Sequence, residues 1–413
     1  MKFLYDIGIR TYAAALALAA PFNPKARQMR QGRQRQFERL QEALQGNSAP
    51  VAWFHCASLG EFEQGRPVIE AFRQAYPDYK ILLTFFSPSG YEVRKNYSGA
   101  DYIFYLPLDS SRNAKRFLDL VQPQLAVFVK YEFWHHYLLE LHQRQIPTLS
   151  ISAIFRPSQV FFKPYGNFNR EMLRYFTHIY TQNAQSLELL QSINIRNASV
   201  AGDTRFDRVL QTAASVQRLP LVEAFAQQQQ VMIVGSSWPA DVAVLLPLIK
   251  KYSTSMKFIM APHEVNETSI NAVMQAVGTE ATRYSTATAQ TVTKYKILVI
   301  DNVGMLSALY SYGTYAYIGG AFGKGLHNTL EAAVFGLPLF FGPTYDKFQE
   351  AHDLVALQCA FPVQNSQELL QVFERIQQSP ETVQHITTTG KQYVQAQAGA
   401  TARIMADVAL LLK

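Results

Sequence analysis

The chain is poor in the groups that hold small secreted domains or metal centres together. Its 413 residues contain two cysteines, Cys56 and Cys359, far apart and without a CxxC partner, so no disulfide framework is expected and a reducing compartment is. Nine histidines show no HExxH or paired spacing, which predicts no metal site. No apolar run reaches the roughly 18 residues a membrane-spanning helix requires, and no short tandem repeat is present. Charge of one sign is also scarce over most of the chain. The formal net charge is +7, yet residues 1–40 alone carry eight basic side chains (Lys2, Arg10, Lys25, Arg27, Arg30, Arg33, Arg35 and Arg39) against Asp6 and Glu38. The remaining residues are near neutral, which argues against a nucleic-acid face.

What is present is material for two buried cores. With 48% hydrophobic and 17% charged residues, the length suits two domains of about 200 residues each. The basic end adjoins the apolar stretch Tyr12–Ala20. Drawn as a helix, Phe3, Leu4, Ile7, Ala14, Ala15 and Leu18 share one side, and Asp6 and Arg10 form an i,i+4 pair on another. This pattern predicts an amphipathic membrane-associating helix with its basic segment at anionic headgroups, on the cytoplasmic side by the positive-inside rule. A secretory leader fits less well, because Arg10 breaks the apolar region and the basic residues follow it. A soluble helix docked on the protein itself is the plain alternative.

From residue 51 short apolar runs alternate with helical patterns. Strands are expected at 51–56, 80–86, 102–106, 125–130, 148–152 and 178–181, with helices at 65–76, 111–120 and 136–144 between them. The alternation restarts with strands at 231–235, 257–261, 296–301, 315–319 and 338–341. Helices are expected at 241–252, 267–277, 305–310 and 328–335, and a junction between the domains near 205–228. A long helical pattern at 383–412 could pack back across both domains. This reads as two doubly wound parallel sheets facing a cleft, with ligands at the carboxyl ends of the strands.

Two strand ends in the first half deliver carboxylates. "HCASLGE" (55–61) runs from a strand through a Ser-Leu-Gly turn to Glu61 in the first turn of a helix, where an acid either caps the helix or serves as a base. "VKYEFW" (129–134) presents Glu132, for which a structural ion pair is an equal reading. In the second half, Gly319-Gly320 end a strand and lead through Gly323, Lys324 and Gly325 to a helix near Asn328. Glycines let backbone approach a phosphate, Lys324 is a counter-ion, and Glu331 could accept from ribose hydroxyls. The loops Gly235-Ser236-Ser237-Trp238, Ala261-Pro262-His263-Glu264 and Asp301-Asn302-Val303-Gly304 would line the same rim, as a nucleotide site needs. A glycine-rich turn of purely geometric purpose is the alternative.

Together with "GDTRFDRV" (202–209) and "GKGLHNTLEAAVFGLPLFFGP" (323–343), these motifs resemble the Kdo transferases of lipid A biosynthesis over nearly the whole chain. The resemblance implies the GT-B glycosyltransferase fold, two Rossmann-like domains, and inverting transfer of 3-deoxy-D-manno-oct-2-ulosonic acid (Kdo) from CMP-Kdo to the lipid A disaccharide precursor, lipid IVA. The expected location is the cytoplasmic face of the inner membrane. It implies a membrane-associating segment at 1–40, an acceptor-binding domain at 41–215 and a CMP-sugar-binding domain at 216–413 that includes the C-terminal helix. Glu61 would be the catalytic base, with Ser58, Gly60, Glu132 and Arg205 binding substrate. The donor would be held by Gly235, Ser236, Pro262, His263, Gly304, Gly320, Lys324, Gly325, His327, Asn328 and Glu331. No cofactor or metal is expected beyond the donor itself, and the partners are lipid A precursor and the anionic membrane surface, not nucleic acid. The chain departs from the family pattern at Ser237-Trp238, His263-Glu264, Gly325-Leu326 and 129–131. Rival readings are a GT-B enzyme using a UDP-sugar, whether transferase or 2-epimerase-like, and a non-catalytic membrane-associated binding protein.

Overall fold

Strands buried along nearly their whole length must be covered on both faces, and the central strands of both sheets of the computed structural model, which describes residues 1–412, are of this kind. In the first unit the strands are β1 (Val51–Cys56), β2 (Lys80–Phe85), β3 (Tyr102–Tyr105), β4 (Pro123–Val129), β5 (Thr148–Ala153), β6 (His178–Thr181) and β7 (Ala198–Val200). They form one parallel sheet in the order β3-β2-β1-β4-β5-β6-β7. Alternate residues of β1 go to opposite cores. Val51 and Trp53 pack with Phe117, Leu118, Tyr137 and Leu138, while Ala52, Phe54 and Cys56 pack with Phe62, Ile69 and Phe72.

The second unit repeats the plan. Its strands are β8 (Val231–Ser237), β9 (Lys257–Pro262), β10 (Ala281–Arg283), β11 (Ile297–Val299), β12 (Tyr315–Ile318), β13 (Leu339–Phe341) and β14 (Ala360–Pro362), ordered β10-β11-β9-β8-β12-β13-β14 and again parallel. In each sheet the strand order reverses beside the unit's first strand, between β1 and β4 and between β8 and β12. Those switch points leave a crevice at the carboxyl ends. The expected strands are all found. β7, β10 and β14, three residues each, are additional, being too short to show an alternation in the sequence.

The boundaries differ from expectation in a way that packing explains. The first unit runs to Arg208 and takes back the chain from Ala398 on, while the second is Val209–Gln397. The expected C-terminal helix is two helices, Pro380–Gln397 in the second unit and Ala400–Leu411 in the first. Ala400, Ile404 and Val408 of the latter are buried against Phe72 and its neighbours. Its N-terminus is capped from another helix: Asp207 accepts hydrogen bonds from the Gly399 N–H, the Thr401 N–H (2.7 Å) and the Thr401 hydroxyl (2.7 Å).

Residues 1–40 are likewise part of the first unit, not a separate segment. They fold into helices Lys2–Ala19 and Pro24–Gly32 and most of Gln36–Leu44. The expected Asp6–Arg10 pair is replaced by Asp6 against His136 Nε2 at 2.6 Å. Arg33 does not face headgroups. It donates to the carbonyls of Leu106 (2.9 Å) and Phe86 (2.8 Å), lies against the rings of Phe86 and Tyr105, and burial pulls its pKa down to about 10.

Asp207→Ala removes the cap of the closing helix and leaves two of its backbone donors unpaired. It should cost the first unit about 2 kcal/mol. Urea unfolding followed by tryptophan fluorescence in a Trp238→Phe background, where Trp53 and Trp134 both report on that unit, measures it. An unchanged midpoint would show that the cap contributes nothing.

Candidate active site

β1 ends at Cys56, and Ser58, in extended conformation, precedes the helix Leu59–Ala75. The capping reading of the Ser-x-x-Glu pattern requires each side chain to bond the other residue's backbone N–H. Here the Ser58 side chain makes no cap bond, and its hydroxyl donates to the Glu61 carboxylate instead. The other acids of this helix are paired: Glu63 with Arg94 at 2.7 Å, and Glu70 with Arg66 at 2.6 Å and Arg208 at 3.4 Å. No such ion pair is made by Glu61 among the described residues. Gly60 is exposed, and a Cβ there would meet only the Ser58 hydroxyl at 3.8 Å, so packing does not demand the glycine. It leaves the approach to Glu61 open.

Across the switch point, Glu132 follows β4. Lys130, at the end of that strand, has a φ of 73°, a left-handed conformation that non-glycine residues seldom adopt and that clusters at functional sites. Glu132 is buried, and its Oε2 accepts from Trp134 Nε1 at 2.7 Å and from His55 Nε2 at 3.1 Å. On the other side of the ring, His55 Nδ1 lies 2.9 Å from the Thr84 hydroxyl and 3.1 Å from the Thr84 carbonyl. Glu132 is therefore held by two donors, whereas Glu61 accepts from a single side-chain hydroxyl. Arg205 lies at the start of the helix Thr204–Ala214, its guanidinium clasping Asp203 at 2.7 and 2.8 Å. Next to it, Thr204 donates to the Gln64 carbonyl on the helix that carries Glu61.

In the second unit three contacts gather the four expected loops. Asp241, fully buried, accepts from the N–H groups of Trp238 (2.8 Å) and Gly320 (2.9 Å) and from the Tyr317 hydroxyl (3.0 Å), tying the ends of β8 and β12 together. Burial raises its pKa, and the three donors oppose that shift. The rings of Trp238, His263 and His327 stack at 4.6 and 4.5 Å, joining the ends of β8, β9 and β12, and Lys324 lies over Trp238 at 5.5 Å. Glu331 accepts from Asn328 at 3.0 Å and from the Ser307 hydroxyl, which draws in the loop of Gly304. Pro262 ends β9 beside His263, and Ser236, like Lys130, is a non-glycine strand-end residue at positive φ, 52°.

Gly320 has a φ of 97°, and a Cβ on it would lie 2.2 Å from the Gly325 carbonyl oxygen, so the loop closes only on glycine. Gly235 is glycine for a steric reason, since the Tyr310 hydroxyl occupies the space of its Cβ. One expectation is corrected. The helix after the loop is a single turn, Leu330–Ala333, whose N–H at Leu330 is capped by Asn328 at 3.1 Å, because the chain turns at Gly336 and cannot extend it. The helix dipole there is accordingly small. The sequence reading also missed Asp241, signalled only by its position two residues after Pro239, and the hydroxyl of Thr329; Ser237 stood on the expected rim. The hydroxyls of Ser237 and Thr329 are buried at these loops and lack a hydrogen-bond partner.

Burial, reinforced by His263, lowers the pKa of His327 to about 4, so the ring is neutral and its Nε2 accepts from Trp238 Nε1 at 3.2 Å. The folded pKa lies below the unfolded value near 6.5, so the unfolded chain binds the extra proton. Stability from this group is complete above pH 6.5 and falls as the pH drops toward 4. His327→Gln should therefore lose less stability than the wild type between pH 7 and 4.5 in urea unfolding of the second unit. Identical pH slopes would contradict the neutral ring.

Residues 32–208 match the family described as 3-deoxy-D-manno-octulosonic-acid transferase (kdotransferase). The 3-deoxy-D-manno-octulosonic acid transferase of Rickettsia felis is 27% identical over 329 residues, 78% of this chain and 70% of that protein. The Aquifex aeolicus transferase of the same name is 25% identical over 331 residues, 78% of this chain and 85% of that protein. In fold, the chain is similar to UDP-GlcNAc 2-epimerase from Neisseria meningitidis, with a TM-score of 0.61 at 15% identity, over 87% of this chain and 99% of that one. The matched family, the run of similar transferases and the two Rossmann-like units agree: the chain is similar to the Kdo transferases in sequence and has the two-domain fold of GT-B proteins.

Proposed function

We propose that the protein moves Kdo from CMP-Kdo to a hydroxyl of the lipid A disaccharide precursor, lipid IVA, with inversion at the anomeric carbon and Glu61 as general base. The observation that carries the base assignment is the contrast along one helix: Glu63 and Glu70 are neutralised by arginines, and Glu61 has only the Ser58 hydroxyl. In the reaction the acceptor oxygen attacks the anomeric carbon, Glu61 takes the hydroxyl proton, and the bond to the CMP phosphate oxygen breaks with its electron pair leaving on CMP. Ser58 orients the carboxylate, while Glu132, held by His55 and Trp134, shapes the acceptor side together with Gly60 and Arg205. The nucleotide would lie on the second unit, its sugar hydroxyls toward Glu331 and Asn328 and its phosphate toward the 320–325 loop and Lys324. The remaining donor set, Gly235, Ser236, Pro262, His263, Gly304 and His327, forms the rim, and no metal or cofactor takes part.

The same reading places the enzyme at the cytoplasmic face of the inner membrane. Its support is the N-terminal helix Lys2–Ala19, which buries none of its residues below the surface and leaves Phe3 (74%) and Leu18 (75%) exposed on one stripe with Leu4 and Ile7. Among the described residues no single helix is long and apolar enough to cross a membrane; Lys2–Ala19 and Pro24–Gly32 reach that length and composition only together, as a pair bent by 118°. An interfacial helix fits that geometry.

Two measurements test the proposal. Incubated with lipid A precursor and a CMP-Kdo-generating system, wild-type protein should yield a Kdo-bearing lipid by mass spectrometry, undiminished by EDTA. Glu61→Gln should be slower by about 10³-fold while CMP affinity stays unchanged; a variant as fast as wild type removes Glu61 from the chemistry. For the anchor, Phe3→Ser/Leu18→Ser should sediment with anionic vesicles at least tenfold more weakly than wild type, given the loss of two buried apolar side chains. Equal sedimentation would mean the stripe does not enter lipid.

A further inference from the structure

Where the exposed stripe of the N-terminal helix begins, the first unit opens a recess of about 950 Å³. Lys2, His135, His142 and Arg174 line it, and Lys2 and Arg174 enter no ion pair among the described residues. The acid on its wall, Glu171, is occupied by the Tyr175 hydroxyl at 2.8 Å. The two cations thus outnumber the one carboxylate of the lining, and of the nearby acids Asp6 holds His136 while Asp109 accepts from the N–H groups of His136 and Tyr137.

His135 is the second, independent observation. It is 3% exposed, and neither ring nitrogen has a hydrogen-bond partner. Buried polar side chains are almost always paired, and an unpaired one lining a cavity marks a place for a ligand. Its ring is packed by Phe168 at 4.7 Å, His136 at 5.0 Å and Tyr5 at 5.6 Å, so it cannot swing out to water without breaking these contacts. Burial, with the charges of His136 and Lys2, lowers its pKa, while Glu171 and Asp6 act the other way. An anion in the recess would supply the missing acceptor.

We propose that this recess binds the phosphomonoester group of a membrane lipid, with Lys2, His135 and Arg174 providing the donors. Lys2 shares a helical turn with Phe3 and Leu4, both exposed, so acyl chains lying on the stripe bring a lipid phosphate to the mouth of the recess. A phosphomonoester, with up to two negative charges and three acceptor oxygens, suits two cations and an imidazole better than a singly charged diester does. The inference rests on the reading of the acceptor as a phosphorylated lipid met at a membrane, and it assigns the part of the first unit that would recognise the phosphate.

The test is vesicle flotation with the full chain. Phosphatidylcholine vesicles would carry either phosphatidic acid, a phosphomonoester, or phosphatidylglycerol, a phosphodiester, at matched surface charge. Wild type should prefer phosphatidic acid by about tenfold. Lys2→Gln/Arg174→Gln should erase the preference, as should His135→Phe, which keeps a ring in the packed site and removes its nitrogens. Arg10→Gln/Lys25→Gln, with the same loss of charge outside the recess, should weaken binding to both lipids and keep the preference. No preference in wild type, or a preference that survives Lys2→Gln/Arg174→Gln, overturns the proposal. So does saturable binding of inorganic phosphate that depends on Lys2 and Arg174 while the vesicle preference does not, because the ligand would then be a free phosphate. The measurement involves neither donor nor transfer. Failure to modify the lipid A precursor would sink the acceptor reading with the phosphatidic acid preference intact, and the converse result would sink the recess alone.

Discussion

A parallel strand covered on both faces has nowhere to present chemistry except its ends. β1 and β8 are such strands, buried along almost their whole length and flanked by neighbours that leave in opposite directions. The crevice at each switch point is the one place where consecutive loops diverge and leave room for a ligand. Glu61 and Glu132 stand at the ends of β1 and β4, and the Trp238 and Gly320 loops at the ends of β8 and β12. The location of these loops follows from that constraint before any side chain is considered.

Within each crevice a buried acid does structural work so that other groups are left for ligand. Asp241 gathers two backbone N–H groups and a tyrosine hydroxyl, and Glu132 is gripped by His55 and Trp134. Buried carboxylates are tolerable only when satisfied in this way. Glu61, partly exposed and bonded to a single hydroxyl, stands apart from both. The same division separates the basic side chains: Arg33 is spent on carbonyls and rings inside the first unit, whereas Lys2 and Arg174 line an open recess.

The N-terminal helix shows how an apolar face can be held outward. Tyr5 and Asp6 bond Asp109 and His136 at the start of the helix His135–Gln143, and the Tyr5 hydroxyl also accepts the His135 N–H at 3.3 Å. These polar contacts secure one side of the helix to the unit. The stripe of Phe3, Leu4, Ile7 and Leu18 is turned to solvent while hydrogen bonds hold the opposite side.

The strands beginning at Val51, Lys80, Tyr102, Thr148, His178, Val231, Lys257 and Tyr315 were legible in the sequence, because a continuous apolar run bounded by turn residues has few other outcomes. So were the loops that carry Glu61, Glu132 and the glycines of 319–325, since each follows such a run. The short strands β7, β10 and β14 were not, as three residues carry no period, nor was the ownership of the closing helix, whose apolar face at Ala400, Ile404 and Val408 would suit either sheet. Pairings between distant residues were also invisible: Asp207 with Gly399, Asp6 with His136, and the stack of Trp238, His263 and His327. Periodicity along the chain determined which segments are strands and where their reactive ends lie. Which acid is neutralised and which stays free was decided only by the tertiary structure, because a charge finds its partner through space, across separations that local pattern does not encode.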